Sequence, residues 1–254
     1  MVRLLTLLRE NGHTSLSELA AELGASQATI RRDVAELAAQ GLIIRTHGGA
    51  LARDDRQELP LELRDNRNHQ AKQAIGEAIA SEIPPGKHTI GLTGGSTTAQ
   101  VLTALGNRDD LTIITNSVSV GLTAVRQNQS RVLIAGGVLR PNSLETVGQL
   151  TESTLKVVNV QIAIVGADGV SVRGGITTHD EIEARTNHTL VKNAEKVIVV
   201  ADASKLGRVT SAKLADLGEV DLVVTNENAA PAEVAALREA GVTVQLVPVK
   251  PTKS

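Results

Sequence analysis

Seven short runs of β-branched and aliphatic residues, at 89–93, 111–116, 131–135, 161–165, 196–202, 221–226 and 242–247, dominate the second two thirds of the chain. Several are continuous apolar runs rather than alternations, as strands buried on both faces require. Segments with helical patterning separate them, so each strand can return to the same direction through a crossover. The expected architecture is α/β: an open, mostly parallel sheet. Ligands of such sheets bind outside the carboxyl ends of the strands.

The first 53 residues follow a different rule. Residues 2–10 place apolar side chains at helical spacing, and Asn11-Gly12 stops them. Ser15 with Glu18 forms a capping box, after which Leu16, Leu19, Ala20 and Leu23 share one face and Gly24 ends the helix. Past the link Gly24-Ala25-Ser26, Ser26 caps a third helix over 27–40 that turns Ile30, Val34 and Leu37 inward, and Gly41 closes it. Two helices joined by a tight glycine-bearing turn form a helix-turn-helix. Short strands at 42–45 and 50–51, around Thr46-His47-Gly48-Gly49, read as a hairpin or wing. The expected organisation is a winged helix-turn-helix domain over 1–53, a polar linker over 54–70 and the α/β domain over 71–254.

Composition narrows the chemistry. The 254 residues include no Cys, which excludes disulfides, thiolate metal sites and cysteine nucleophiles. Hydrophobic residues make up 41% and charged residues 21%, enough to bury a core. No apolar run approaches the roughly 18 residues needed to span a bilayer, and the N-terminus meets charge too early for a secretory leader, so a cytoplasmic protein without a membrane partner is expected. Phe, Tyr and Trp are all absent. A folded chain of this size ordinarily uses many aromatics, so their absence predicts deliberate removal from an aromatic-bearing parent.

In the third helix, Ser26, Gln27 and Thr29 stand at the N-terminus and Arg31 and Arg32 on the side away from Ile30 and Val34. An Arg fork suits guanine, Gln can read adenine, and a helix N-terminus attracts phosphate. Arg45 and His47 in the wing can reach the backbone or minor groove. The expected partner is double-stranded operator DNA. Charge tempers this: Arg3, Arg9, Arg31, Arg32, Arg45 and Arg53 against Glu10, Glu18, Glu22, Asp33 and Glu36 leave +1 over residues 1–53. One copy is a weak electrostatic binder, which a homodimer or homotetramer offering two recognition helices to a palindrome would offset. A helical protein-interaction module is the competing reading.

In the second domain, Gly94-Gly95-Ser96-Thr97-Thr98 joins the first strand to a helix. Glycines admit a ligand to the backbone, and hydroxyls and free N–H groups at a helix start bind anions. The loop lacks the Lys of a nucleotide-hydrolysing P-loop and is not G-x-G-x-x-G, so no nucleotide cofactor is expected. Asn116-Ser117, Gly136, Asp168 and Lys205 lie at the ends of later strands. Lys205 would neutralise a phosphate, while Asp168 or the cluster Asp180, Glu181, Glu183 would accept sugar hydroxyls. For the acidic cluster the alternative is a helix N-terminal charge complementing the dipole.

Residues 15–50 resemble the DNA-binding domain of DeoR-type bacterial repressors, whose signature elements S..TIRRD and L...G.I.R.HGGA stand in this sequence. Residues 68–247 resemble the sensor domain of the same family through GLTGGSTTAQ, LTIITNS, LIAGGVLR, AIVGADGVS, GGITTHDEIEART and VIVVADASKLGR. The resemblance implies a repressor of carbohydrate-metabolism genes relieved by a phosphorylated sugar. It further implies a sensor fold similar to ribose-5-phosphate isomerase, which raises an isomerase-like enzyme with a DNA-binding appendage as the alternative. In that enzyme the base is a Glu followed by Lys; the corresponding residues here are Asp180-Glu181. The base is shortened and its cationic neighbour is acidic, which implies a pocket that kept the ligand class and lost the reaction. The effector-binding residues expected are Gly94, Gly95, Ser96, Thr97, Thr98, Asn116, Ser117, Gly136, Asp168, Glu181 and Lys205.

Overall fold

The computed structural model describes residues 1–39, 42–52, 58–127 and 131–249, in two compact units, 1–67 and 68–254. Gly41, expected to close the third helix, Arg53 and residues 54–57 of the expected linker lie outside the described residues. Within 58–70 the chain forms one short helix, Leu61–Asn66, and begins the next at His69.

The first unit comprises α1 (Val2–Asn11), β1 (Thr14–Ser15), α2 (Leu16–Leu23), α3 (Gln27–Ala39), β2 (Ile43–Thr46), β3 (Gly49–Ala52) and α4 (Leu61–Asn66). Ser15 Oγ accepts from Glu18 N while Glu18 Oε2 accepts from Ser15 N, completing the capping box. Gly24 adopts φ 62°, a left-handed conformation that costs glycine little. Leu4, Leu8, Leu19, Ile30, Val34 and Leu37 form the core of this unit, and Leu63 of α4 adds to it. Burial of Leu61 and Leu63 accounts for the helix inside the stretch read as linker. The wing has three strands in the order β1-β3-β2, one more than the sequence reading anticipates. Gly49 must lack a side chain, because a Cβ there would lie 2.5 Å from the Thr14 carbonyl oxygen.

The second unit opens with α5 (His69–Glu82) and alternates strands and helices: β4 (His88–Leu92), α6 (Ser96–Leu105), β5 (Leu111–Thr115), α7 (Val118–Arg126) and β6 (Arg131–Ile134). A hairpin of β7 (Val138–Arg140) and β8 (Glu145–Val147) precedes α8 (Gln149–Leu155) and β9 (Val160–Gly166). There follow β10 (Gly169–Ser171), β11 (Gly175–Thr178), α9 (Glu181–Lys192), β12 (Ala194–Val200), β13 (Ala212–Ala215), β14 (Leu222–Asn226), α10 (Pro231–Glu239) and β15 (Thr243–Val247). Seven strands pair in parallel in the order β15-β14-β12-β9-β4-β5-β6. They coincide with the seven apolar runs. Successive residues feed opposite faces: Ile164, Ile198 and Val224 pack with α5 and α6, while Val165, Val199 and Val223 pack with α9 and α10. Both faces of the inner strands are buried, which explains why those strands carry no polar alternation. The hairpin β7–β8 and the small sheet β10-β11-β13 are the elements that periodicity does not reveal.

Candidate functional site

In the first unit all seven residues expected to meet DNA are exposed: Ser26, Gln27, Thr29, Arg31 and Arg32 around the start of α3, and Arg45 and His47 in the wing. Ile30, Val34 and Leu37 occupy the opposite face of α3 and are buried. Three of the seven already have structural work: Thr29 Oγ1 lies 2.9 Å from Ser26 Oγ. Ser26 Oγ accepts from Thr29 N at 3.1 Å, so it caps the helix, and Gln27 Nε2 donates to Ser17 Oγ at 3.3 Å. Asp33 engages the N-terminal ammonium at 3.7 Å rather than either neighbouring arginine. The wing is anchored by His13, whose Nε2 lies 2.7 Å from Thr46 Oγ1.

In the second unit the carboxyl ends of β4, β5, β9 and β12 bring small and polar residues to one edge. Gly94 ends the β4 turn, Gly95 takes φ 129° as the N-cap of α6, and Ser96, Thr97 and Thr98 form the buried first turn. Gly95 thereby needs a backbone conformation that side chains disfavour. Thr98 Oγ1 donates back to the Gly95 carbonyl at 2.8 Å. Asn116 and Ser117 are buried beside them, and the Ser117 hydroxyl caps α7 by accepting from Val120 N. Gly136 is exposed.

Two hydrogen-bonded chains run through this edge. In one, Gly94 N donates to Glu145 Oε1 at 2.6 Å, Asn187 Nδ2 donates to the same oxygen at 3.1 Å, and Asn116 Nδ2 donates to Asn187 Oδ1 at 2.9 Å. The Oδ1 atom of Asn116 is buried with no hydrogen-bond partner. In the other, Lys205 Nζ meets Asp168 Oδ1 at 3.1 Å, and Thr178 Oγ1 bridges Asp168 Oδ2 at 3.2 Å and Glu183 Oε1 at 2.7 Å. Arg140 closes that chain on Glu183 Oε2 at 2.9 Å and Asp180 Oδ2 at 3.2 Å.

These contacts separate the acidic residues by role. Asp180 Oδ1 accepts from the backbone N–H groups of Ile182 and Glu183, so it is the N-cap of α9. Burial raises its pKa, but the Glu183 N–H bond, the Arg140 charge and the remaining hydrogen bonds outweigh burial and leave it below its ordinary value. Glu181 is exposed in the first turn, whereas Glu183 turns into the buried chain. Lys205 is already matched by Asp168 rather than standing as an uncompensated charge. The sequence reading passes over Glu145, Asn187 and Arg140, which the fold delivers to the site. Only an acid inside the apolar stretch Leu144-Glu145-Thr146-Val147 signals one of them beforehand. A separate cavity of 610 Å³ opens at the starting ends of β4, β5 and β6, beside Lys87, Asp109 and Arg131, away from all of these residues.

A winged helix-turn-helix followed by a parallel α/β unit with an anion-suited strand edge defines a class of two-part regulators, one part for DNA and one for sensing. Residues 2–56 match the DeoR-like helix-turn-helix domain and residues 67–227 match the DeoR C-terminal sensor domain. The chain belongs to the DeoR family of transcriptional regulators, a regulatory rather than enzymatic family. It is 32% identical over 223 residues to the glycerol-3-phosphate regulon repressor of Escherichia coli K12, covering 88% of each chain. It is also 32% identical over 243 residues to the HTH-type transcriptional regulator GlpR of Haloferax volcanii, covering 95% of this chain and 94% of that one. A ribose 5-phosphate isomerase from Methanocaldococcus jannaschii superposes with a TM-score of 0.41 at 21% identity over 54% of each chain. The fold assignment rests on the sheet topology and the family match. Among the described residues no helix is long and apolar enough to cross a membrane.

Proposed function

We propose that the protein is an operator-binding repressor of carbohydrate-metabolism genes, released by a phosphorylated sugar held at the strand edge of its second unit. The observation that carries this reading is that one chain combines two exposed arginines on the outer face of α3 with a Gly-Gly-Ser-Thr-Thr loop at the N-terminus of α6. The first suits base edges and phosphates of duplex DNA, the second a ligand phosphate. Arg31, Arg32, Arg45 and His47, with Ser26, Gln27 and Thr29 at the helix start, form the DNA face. Gly94, Gly95, Ser96, Thr97, Thr98, Asn116, Ser117, Gly136, Asp168, Glu181 and Lys205 form the effector face.

The +1 charge of residues 1–53 supports a homodimer or homotetramer as the binding form, since two recognition helices double the contacts. Effector binding favours a sensor conformation in which those helices are mis-spaced for the operator, by no more than the effector's differential affinity for the two states. Cytoplasmic placement follows from this role. The complete absence of Phe, Tyr and Trp supports removal of aromatics by design, and a genome encoding this same sequence would overturn that inference. With no aromatic platform for a sugar face, recognition rests on phosphate and hydroxyl contacts.

A gel shift on operator DNA challenged with a panel of sugar phosphates tests both units at once. Retardation reversed by one member is the expected result. Failure to retard any DNA selected from random duplexes would overturn the reading.

A further inference from the structure

The group that sits on the glycine loop is the protein's own, a carboxyl side chain. Glu145, only 2% exposed, places Oε1 at 2.6 Å from Gly94 N. The contact also explains the glycine: a Cβ at position 94 would lie 2.6 Å from Glu145 Cδ. Position 94 is therefore kept bare for a carboxylate side chain, and not only for the approach of a ligand. Asn187 on α9 donates to the same oxygen and is itself held by Asn116 at the end of β5, so buried residues from three separate elements aim one carboxylate at one N–H.

The hairpin that carries Glu145 is laced to the same edge. Thr146 N donates to the Asn116 carbonyl at 2.8 Å and Val118 N to the Leu144 carbonyl at 2.9 Å. Leu144, the residue before Glu145, has φ 55°, a left-handed conformation that is strained for a bulky side chain. The carboxylate is thus held in place by a hairpin with a reason to relax.

A ligand phosphate seeks the N–H groups at the start of α6, where the helix dipole is positive, and Gly94 N borders them, one residue before the Gly95 N-cap. Two anions about 4 Å apart in a partly buried site repel strongly, so they do not share one N–H. We propose that Glu145 is an internal competitor for the effector's phosphate: the phosphate takes the Gly94 N–H by displacing Glu145, and the displaced carboxylate carries β8 with it. The proposal rests on the effector reading above and adds how that site selects and reports its ligand. A neutral sugar has no anion to exchange for Glu145, so the exchange favours phosphorylated ligands over their free counterparts. Departure of Glu145 also frees Asn187 on α9 and strains the bonds between β8 and the end of β5, giving the binding event a structural output.

The test is isothermal titration of the full chain and its Glu145→Gln variant with glycerol 3-phosphate, hexose 6-phosphates and inorganic phosphate, with glycerol and the free hexoses as neutral counterparts. Gln keeps an oxygen for both Gly94 N and Asn187 Nδ2 while removing the charge, so the fold is retained. Glu145→Asp, which keeps the charge but withdraws it by one methylene, serves as a second variant and is read in the same way. The expected result is that phosphorylated probes bind the Gln variant at least about tenfold more tightly than the parent, with the neutral probes unmoved; one factor of ten corresponds to about 1.4 kcal/mol. Binding by the variant alone also supports the competition. Equal or weaker binding by both variants, with the parent binding normally, overturns the role of Glu145 and leaves the phosphate reading standing. Binding by none of the three proteins overturns both.

Discussion

Replacing Arg31 or Arg32 with alanine separates the folding of the first unit from its recognition of DNA. Both side chains are exposed, and the same helix buries Ile30, Val34 and Leu37 on its other face. Truncation at such a surface position changes stability by no more than about 0.5 kcal/mol. If the arginines contact operator DNA, each loss costs about 1–3 kcal/mol per copy, and roughly twice that when two copies occupy a palindrome. At about 1.4 kcal/mol per factor of ten, a dimer carrying either substitution binds its operator between tens and tens of thousands of times more weakly. The salt dependence distinguishes the two kinds of contact. An arginine on a phosphate lowers the slope of log affinity against log salt by about 0.9 per contact, whereas one on a guanine edge relaxes specificity at a single base pair. Fluorescence anisotropy of a labelled operator fragment across a salt series, with thermal melts of each variant, measures all of these quantities. Unchanged affinity in both variants, at unchanged melting temperature, would refute the assignment of α3 as the recognition helix.

Other expectations follow from individual contacts. Gly49→Ala sets a Cβ 2.5 Å from the Thr14 carbonyl oxygen, where only backbone can yield, and is expected to cost about 1–3 kcal/mol and loosen the wing; denaturant melts followed by circular dichroism measure it. Leu37→Ala, at a fully buried position of α3, is expected to destabilise the first unit by about 2–5 kcal/mol, and a loss under 1 kcal/mol would mean that the helix is not packed as described. In the second unit the Arg108 guanidinium holds Asp110 far below its usual range, and Asp216 is lowered by its hydrogen bond from Lys213. Burial raises Glu219, but its bonds from His188 and Asp216 N prevail and lower it. A carboxylate depressed on folding contributes stability above its unfolded pKa and loses it as the pH falls through the folded one. Stability should therefore be level above about pH 5 and decline toward pH 2, with Arg108→Met flattening part of that decline in acid titrations.

Much of the fold was legible because burial on both faces leaves an unambiguous mark. Ile198 and Val199 enter opposite cores, so the strand that holds them has no polar face and reads as an apolar run. Caps were equally readable, since Ser15 with Glu18 and Ser26 with Thr29 act within a single turn. The small strands were not legible: β7, β8, β10 and β11 have three or four residues each, too few for a period to show. The candidate site divides along the same line. The glycine loop and the residues at the strand ends are local features and could be named from sequence. Their relations could not. Asp180 and Glu181 are neighbours, yet Asp180 caps α9 and Glu181 faces solvent, because one position along a helix start changes which side a residue faces.

The sequence by itself determined the class of each unit, the direction of the sheet, the exposed face of α3 and the loop suited to phosphate, all of which depend on residues within a few positions of one another. The tertiary structure alone decided that Lys205 is matched by Asp168 across 37 residues and that Glu145 reaches Gly94 across 51. Those pairings arise where separate strands and a hairpin end at one edge, and a contact between distant residues leaves no periodic trace in the chain that makes it.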